Sequence, residues 1–407
     1  MVVNALSFLV LFGITVIVGY VGSLIFLKTK IPDLIWLIIF GFSAASFGFV
    51  DRALFLSISP LLAALAILLI LFDSGLNLDF YQMIRGFPRS IVLAVVGMIL
   101  STISVAVFAI YFLKFSLLEG LLLGAILGGT SSATVMAIVS KLKMKENIKT
   151  ILTLDSVITD PLVIVVSIVL INMLVGNGAT TPVKDVLSAF SIGGMVGIIT
   201  GFVWVFVLEK LKGKPFDYML TIAMLFLIYA FVESSGGSGA IAALFFGLVI
   251  GNSKIFSSIL RFKKKFSVEG VFLTFQNEIS FFIRSFFFVF LGIIITIKYD
   301  YIIYGIAIAA ILIIFRVLAV EISSVRMKTV PYEKNIMRIM VPRDLTAAVI
   351  AQLPFIYGMK NAAAFSNIVF IVIVSTVIYT SVLTMVLKDG HQKKEGEKKE
   401  ENKVKRL

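Results

Sequence analysis

The 407-residue chain has no cysteine and a single histidine. The first absence excludes disulfides, thiolate metal sites and cysteine nucleophiles. It does not report the compartment. The second excludes imidazole-based acid–base chemistry within any apolar segment, because His391 lies in the polar C-terminal stretch. Charge is also scarce: 14% of residues are charged against 59% apolar, where soluble domains run near ~25% and ~45–50%. Such a chain cannot cover its apolar side chains with polar ones, so it is not a soluble globule. There is no Gly-x-x-x-x-Gly-Lys-(Ser/Thr) loop to cradle a nucleotide phosphate. The net charge of +13 is read as cytoplasmic loop charge rather than a nucleic-acid surface.

What the chain has is apolar runs. A membrane-spanning helix takes about 20 predominantly apolar residues. Thirteen such segments are predicted, near 4–27, 31–50, 53–74, 90–113, 117–140, 150–175, 187–209, 216–234, 238–252, 270–297, 301–325, 335–356 and 363–387. The ninth is short and glycine-rich. The first is read as a spanning helix and not a cleaved leader, because it has no basic start. The fold class is therefore an all-α polytopic membrane protein with residues 1–387 as one membrane domain. Residues 388–407 are read as a charged cytoplasmic tail, disordered by composition.

Loop charge fixes the orientation. Loops on one face carry Lys28 and Lys30, Arg85 and Arg89, Lys141, Lys143, Lys145 and Lys149, then Lys210, Lys212 and Lys214. The same face carries Lys254, Arg261, Lys263, Lys264 and Lys265, and finally Arg326, Lys328 and Lys334. The opposite loops hold only Arg52, Lys114, Lys184, Lys298 and Lys360. By the positive-inside rule the N-terminus is outside and the C-terminus cytoplasmic.

Thirteen helices divide into six, a linker and six, and two such halves inserted from opposite faces would be inverted repeats. Transporters of that kind bind their substrate where corresponding helices are interrupted. The fifth helix contains Gly128-Gly129-Thr130-Ser131-Ser132 and the twelfth contains Val341-Pro342-Arg343-Asp344. Both are poor helix interiors, and they occupy corresponding positions. A crossed, broken-helix site is the reading.

Ionisable residues at bilayer depth need a partner, a cavity or a function. The strongest cluster is Thr153 to Pro161, with Asp155 and Asp160 five positions apart, about 140° around a helix. Ser156 and Asp160 share a face. Asp160 is thus expected to present oxygen to a cavity, with Asp155 turned toward an arginine. Asp73, Arg316 and Arg343 are further candidates. Arg343 could fill two tasks: pairing a buried acid and offsetting the carbonyl ends of broken helices. Arg284 either snorkels or pairs with Glu278. Glu233 and Glu321 fall near helix ends. Hydroxyls at Thr130, Ser131, Ser132, Ser156 and Thr159 supply oxygen ligands of the kind Na⁺ and K⁺ take. One carboxylate that holds either a proton or a cation, combined with alternating access, gives cation/proton exchange.

At these residues the chain resembles the monovalent cation:proton antiporter superfamily, in particular its NhaP-like sodium/proton branch. Phe72-Asp73-Ser74-Gly75-Leu76 resembles that family's Phe-Glu-x-Gly-Leu element. Asp155-Ser156-Val157-Ile158-Thr159-Asp160-Pro161 resembles its Glu-Ser-x-x-Asn-Asp element. Ser238-Gly239 through Gly251-Asn252, Arg316 and Arg343 match in order and spacing. The resemblance implies two inverted six-helix repeats, crossed interrupted helices and a homodimer in membrane lipid. It implies Asp160 as carrier of cation or proton, with Asp155, Ser156 and a main-chain oxygen of Thr130 as further ligands. Arg343 would pair with an acid of the site. Thr159 stands where the family has Asn, and Asp344 where it has Gly. A single Asp in that pair implies electroneutral one-for-one exchange of Na⁺ or Li⁺ for H⁺. The alternative is a K⁺/H⁺ antiporter or K⁺ efflux system. No cofactor is expected. An intramembrane serine protease is disfavoured: Gly236-Gly237-Ser238-Gly239 fits its motif, but no histidine base accompanies it. A channel is disfavoured because no carbonyl-filter signature is present.

Overall fold

The computed structural model describes all residues except 1–4, 30–32, 51, 78–87, 176–181, 212–215, 256–269, 296–297, 328, 344 and 405–407. Lys30, Arg85, Lys212, Lys214, Arg261, Lys263, Lys264, Lys265, Lys328 and Asp344 lie outside the described residues. Among the described residues the regular structure is helical. In a bilayer this is the expected outcome, since a helix satisfies its backbone polar groups internally.

The helices are α1 (Ala5–Thr29), α2 (Asp33–Ser46), α3 (Arg52–Asn77) and α4 (Pro88–Phe108, ending in a π-helical turn Ala109–Leu113). Next come α5 (Leu117–Ile126), α6 (Ser132–Val139), α7 (Glu146–Val175), α8 (Pro182–Leu211), α9 (Asp217–Ser234) and α10 (Gly239–Gly251). The chain continues with α11 (Gly270–Ile294), α12 (Tyr299–Ser323), α13 (Pro331–Ile339), α14 (Leu345–Ile350), α15 (Leu353–Ile356) and α16 (Ala362–Val404). Among the described residues, each apolar segment read from the sequence overlaps at least one helix. Among the described residues, six stretches are by themselves long and apolar enough to cross a membrane: Pro88–Leu113, Glu146–Val175, Leu187–Leu211, Gln276–Ile294, Tyr299–Ser323 and Ala362–Lys388.

Two interruptions stand where the sequence placed them. The fifth segment is split into α5 and α6 by residues 127–131, and the twelfth into α13 and α14 with residues 340–343 outside helix. Pro161 does not interrupt α7, which runs through it. The tail differs from expectation. α16 continues past the apolar part to Val404, so its backbone is helical where composition predicts disorder. Lys and Glu are good helix formers, and the apolar half of α16 supplies the nucleus that an isolated tail would lack.

Packing sorts the helices into two groups. α4 packs on α5, α7 and α12, α5 packs on α7, and α12 packs on α16. In the other group α3 and α8 pack on α10, and α2 packs on α1 and α11. Glycine sets two of these contacts. A Cβ on Gly41 of α2 would strike the Val289 carbonyl, and one on Gly75 of α3 would strike the Leu244 carbonyl. α2 with α11 and α3 with α10 are thus two close backbone pairs. They are the two pairs that would interchange between the six-helix halves expected from the sequence.

Candidate functional site

The site lies where the two interruptions meet. Ser131 N donates to Pro342 O at 2.8 Å, so the breaks are hydrogen-bonded to each other. Each break frees backbone groups that a continuous helix would consume, and each supplies what the other lacks. Ser131 also caps α6, its hydroxyl accepting from Thr134 N. The Arg343 guanidinium donates to Gly129 O, and Arg343 N donates to Thr376 Oγ1 at 3.3 Å. That contact places Arg343 at the carbonyl end of a broken helix, one of the two tasks expected of it. Arg343 is 3% exposed.

α7 passes beside this crossing. Thr130 N donates to Thr159 Oγ1 at 3.2 Å, and the Thr159 hydroxyl donates to Ser156 O at 3.1 Å. Thr159 thereby ties the first break to the acid-bearing helix. The Ser156 hydroxyl donates back to Thr153 O at 2.9 Å, which leaves its lone pairs as acceptors. Thr130 Oγ1 is buried with no hydrogen-bond partner. An orphaned oxygen of this kind costs stability unless something occupies it.

Arg316 of α12 donates to Asp155 Oδ2 at 2.7 Å, and both residues are buried. Arg316 Nε also donates to Met337 O at 3.3 Å, just before the second break. Asp155 Oδ1 has no hydrogen-bond partner. A buried pair of this type is costly to assemble and more costly to break, so its place beside two breaks points to function.

A cavity of about 10 Å³ sits here, lined by Thr130, Asp155, Thr159, Arg316 and Arg343 together with Ser101 and four apolar or glycine residues of α4 and the first break. That volume suits about one water or one small desolvated ion. The sequence predicts that Asp160 faces the cavity. Instead Asp155 lines it, and Asp160 does not, although it is buried one turn further along α7. The helix period accounts for this: five positions along a helix are about 140° apart, and α7 runs unbroken from Glu146 to Val175.

Asp73 belongs elsewhere. It accepts from Gln276 and Ser280 of α11, and Arg284 acts on its charge. Asn77 Nδ2 donates to Asp73 Oδ1 at 3.2 Å. Asp73 is therefore the acid that faces Arg284, in a second polar cluster between α3 and α11. Glu233 accepts from Gly239 N at 2.8 Å across the α9–α10 turn. Glu321 of α12 holds Lys334 and Arg338 of α13.

Sequence reasoning did not single out Ser101 in the cavity wall, nor Glu119 and Glu333 at the starts of α5 and α13. The last two carried a readable signal. Ser116-x-x-Glu119 is a capping-box pattern, and Pro331 at the first helical position marks the start of α13.

The family model described as sodium/hydrogen exchanger, transmembrane, matches residues 12–389. The chain belongs to that family. It is 23% identical over 379 residues to a K(+)/H(+) antiporter NhaP of Alkalimonas amylolytica, covering 90% of this chain and 64% of that one. It is 22% identical to a low-affinity Na(+)/H(+) antiporter NhaS1 of Synechocystis, covering 61% of this chain and 47% of the relative. A probable Na(+)/H(+) antiporter 2 of Methanocaldococcus jannaschii is 27% identical, with 72% and 71% covered. The chain thus spans only about half to two thirds of the length of the first two relatives. Among solved structures, the sodium proton antiporter MjNhaP1 of M. jannaschii at pH 8 superposes with a TM-score of 0.75 at 20% identity, covering 94% of this chain and 98% of that one. That likeness gives the fold.

Proposed function

We propose that this member of the sodium/hydrogen exchanger family is a secondary antiporter that exchanges a monovalent cation, Na⁺ or Li⁺ in preference, for H⁺. The observation that carries the reading is the bond between Ser131 N and Pro342 O, which brings two broken helices together beside a helix holding two buried acids. Asp160 carries either the cation or the proton. Asp155, Ser156, Thr130 and Thr159 supply neighbouring oxygen atoms. Arg316 matches the charge of Asp155, and Arg343 occupies a carbonyl that the first break leaves exposed. Because Arg cannot deprotonate, neither arginine takes the proton.

The exchange is electroneutral, one cation for one proton, and α4–α7 with α12–α16 form the ion-carrying body. The two six-helix halves are inverted repeats. Support comes from the exchange of the α2–α11 and α3–α10 pairs, and from the same 214-residue separation between Gly129 and Arg343 as between Leu117 and Pro331. The N-terminus is outside and the C-terminus cytoplasmic in the cell membrane, and the protein is a homodimer through α1–α3 and α8–α11. The related NhaP of Alkalimonas amylolytica is named a K(+)/H(+) antiporter, which supports K⁺/H⁺ exchange as the second reading.

The test uses sealed vesicles containing the purified protein and an internal pH dye. Na⁺, Li⁺ and K⁺ are added in turn to wild type and Asp160→Asn. Cation-driven alkalinisation that depends on Asp160 is expected, and the order of ions decides between the two readings. Absence of proton movement with all three ions across a range of pH would remove the antiport reading.

A further inference from the structure

The two broken helices share a glutamate bond at their starts. At the start of α5, Ser116 N donates to Glu119 Oε2 at 2.9 Å and Glu119 N donates to Ser116 Oγ at 3.3 Å. At the start of α13, Val330 N donates to Glu333 Oε2 at 3.3 Å. In both, the glutamate holds the third helical position. Glu119 and Glu333 are separated by the same 214 residues as Gly129 and Arg343.

A capping box uses one carboxylate oxygen. Here the second oxygen of each glutamate is also engaged, and far away in sequence. Glu119 Oε1 accepts from Asn361 Nδ2 at 2.8 Å, 242 residues distant. Glu333 Oε1 accepts from Lys145 N at 3.0 Å, 188 residues distant. The destinations correspond. Asn361 immediately precedes α16, the last helix of the second half, and Lys145 immediately precedes α7, the last helix of the first. Each broken helix is therefore tied at its start to the start of the closing helix of the other half. Glu333 is 3% exposed, so its two acceptor bonds are shielded from water and hard to replace.

We infer that Glu119 and Glu333 are positioning residues: paired clamps that fix the angle of the two broken helices and so hold the geometry of the ion site at their far ends. α5 has ten residues and α13 nine, levers of about 15 Å. A tilt of about 4° at the clamp moves the break by about 1 Å, and errors of that size are enough to spoil a site built on fixed geometry. The inference rests on the antiport reading for its transport readout, though not for its structural one.

The two clamps differ in a way that makes them testable. Asn361 offers a side-chain amide that can rotate to present either its nitrogen or its oxygen. Lys145 offers a backbone N–H, which can only donate. Glu333→Gln can therefore keep one of its two bonds and not both in the present geometry. Glu119→Gln keeps both once the Asn361 amide turns round. In the vesicle assay, Glu333→Gln and Glu119→Ala are expected to raise the apparent KM for Na⁺ about tenfold, with the maximal rate changed far less. Glu119→Gln should rescue the KM lost in Glu119→Ala. Asn361→Asp sets two carboxylates against each other and should also raise KM, and Glu119→Gln combined with Asn361→Asp should restore it. An unchanged KM in Glu333→Gln and Glu119→Ala, with only the yield of folded protein reduced, would overturn the inference. So would a double variant no better than Asn361→Asp alone. If wild type moves no protons, the antiport reading fails, and the clamps are read by amide exchange instead. Faster exchange at residues 129–131 and at Met340, Val341 and Arg343 in Glu333→Gln supports them, and unchanged exchange overturns them.

Discussion

Thr159 joins the first break to the acid-bearing helix through a single hydroxyl. Its oxygen accepts from Thr130 N while its hydrogen goes to Ser156 O. Thr159→Ser preserves both bonds. Thr159→Val leaves a buried N–H unpaired and should lower stability by about 1–3 kcal/mol, read as a reduced midpoint in thermal unfolding of the detergent-solubilised protein. Arg316 is more exacting. Arg316→Ala strands the Asp155 carboxylate in the interior, at a cost of about 3–5 kcal/mol. Asp155→Leu with Arg316→Met removes both charges and should recover most of that loss. If the double variant is as unstable as the single one, the pair is not the source of the stability. Protons and cations compete for Asp160 in the proposed cycle. The apparent KM for Na⁺ should therefore rise as pH falls, with the maximal rate reached at higher Na⁺. A KM independent of pH would contradict a shared carboxylate.

At the scale of helices, much was legible because the physics is local. Apolar runs gave the helices. Gly128-Gly129 and Pro342 gave the breaks, since glycine and proline are poor helix interiors wherever they occur. Partnerships were less legible. Arg316 and Asp155 are 161 residues apart, and nothing in either segment says which arginine faces which acid. Asp73 was grouped with the ion site through its motif, whereas packing puts it with α11. That assignment depends on how close α3 and α11 come, which only the assembled bundle decides. The glycine contacts make the same point testable. Gly41→Ala drives a methyl group into the Val289 carbonyl and should cost about 1–3 kcal/mol through forced separation of α2 and α11. Gly13→Ala in α1 meets nothing within 4 Å and should be neutral or stabilising, since alanine favours helix by up to about 1 kcal/mol. Paired unfolding curves of the two variants check both statements.

For the whole molecule, the absence of cysteine provides a clean background for topology. A cysteine at Lys360 should react with a membrane-impermeant thiol reagent on intact cells, and one at Lys143 only after the membrane is opened. Both lysines are exposed. The reverse pattern would invert the proposed orientation. The Asp155–Arg316 pair has a consequence at this scale as well. Moving one elementary charge through the membrane potential is worth about 2.3 kcal/mol per 100 mV. In the proposed one-for-one cycle, with Asp155 balanced by Arg316, the carrier acid would return neutralised in both directions, by a cation one way and by a proton the other. The two journeys transport the same charge, so voltage performs no work over a full cycle. A cell could collapse or double its membrane potential without shifting the equilibrium ratio of ions that this protein sustains. Only the concentration gradients of the two ions would set its direction.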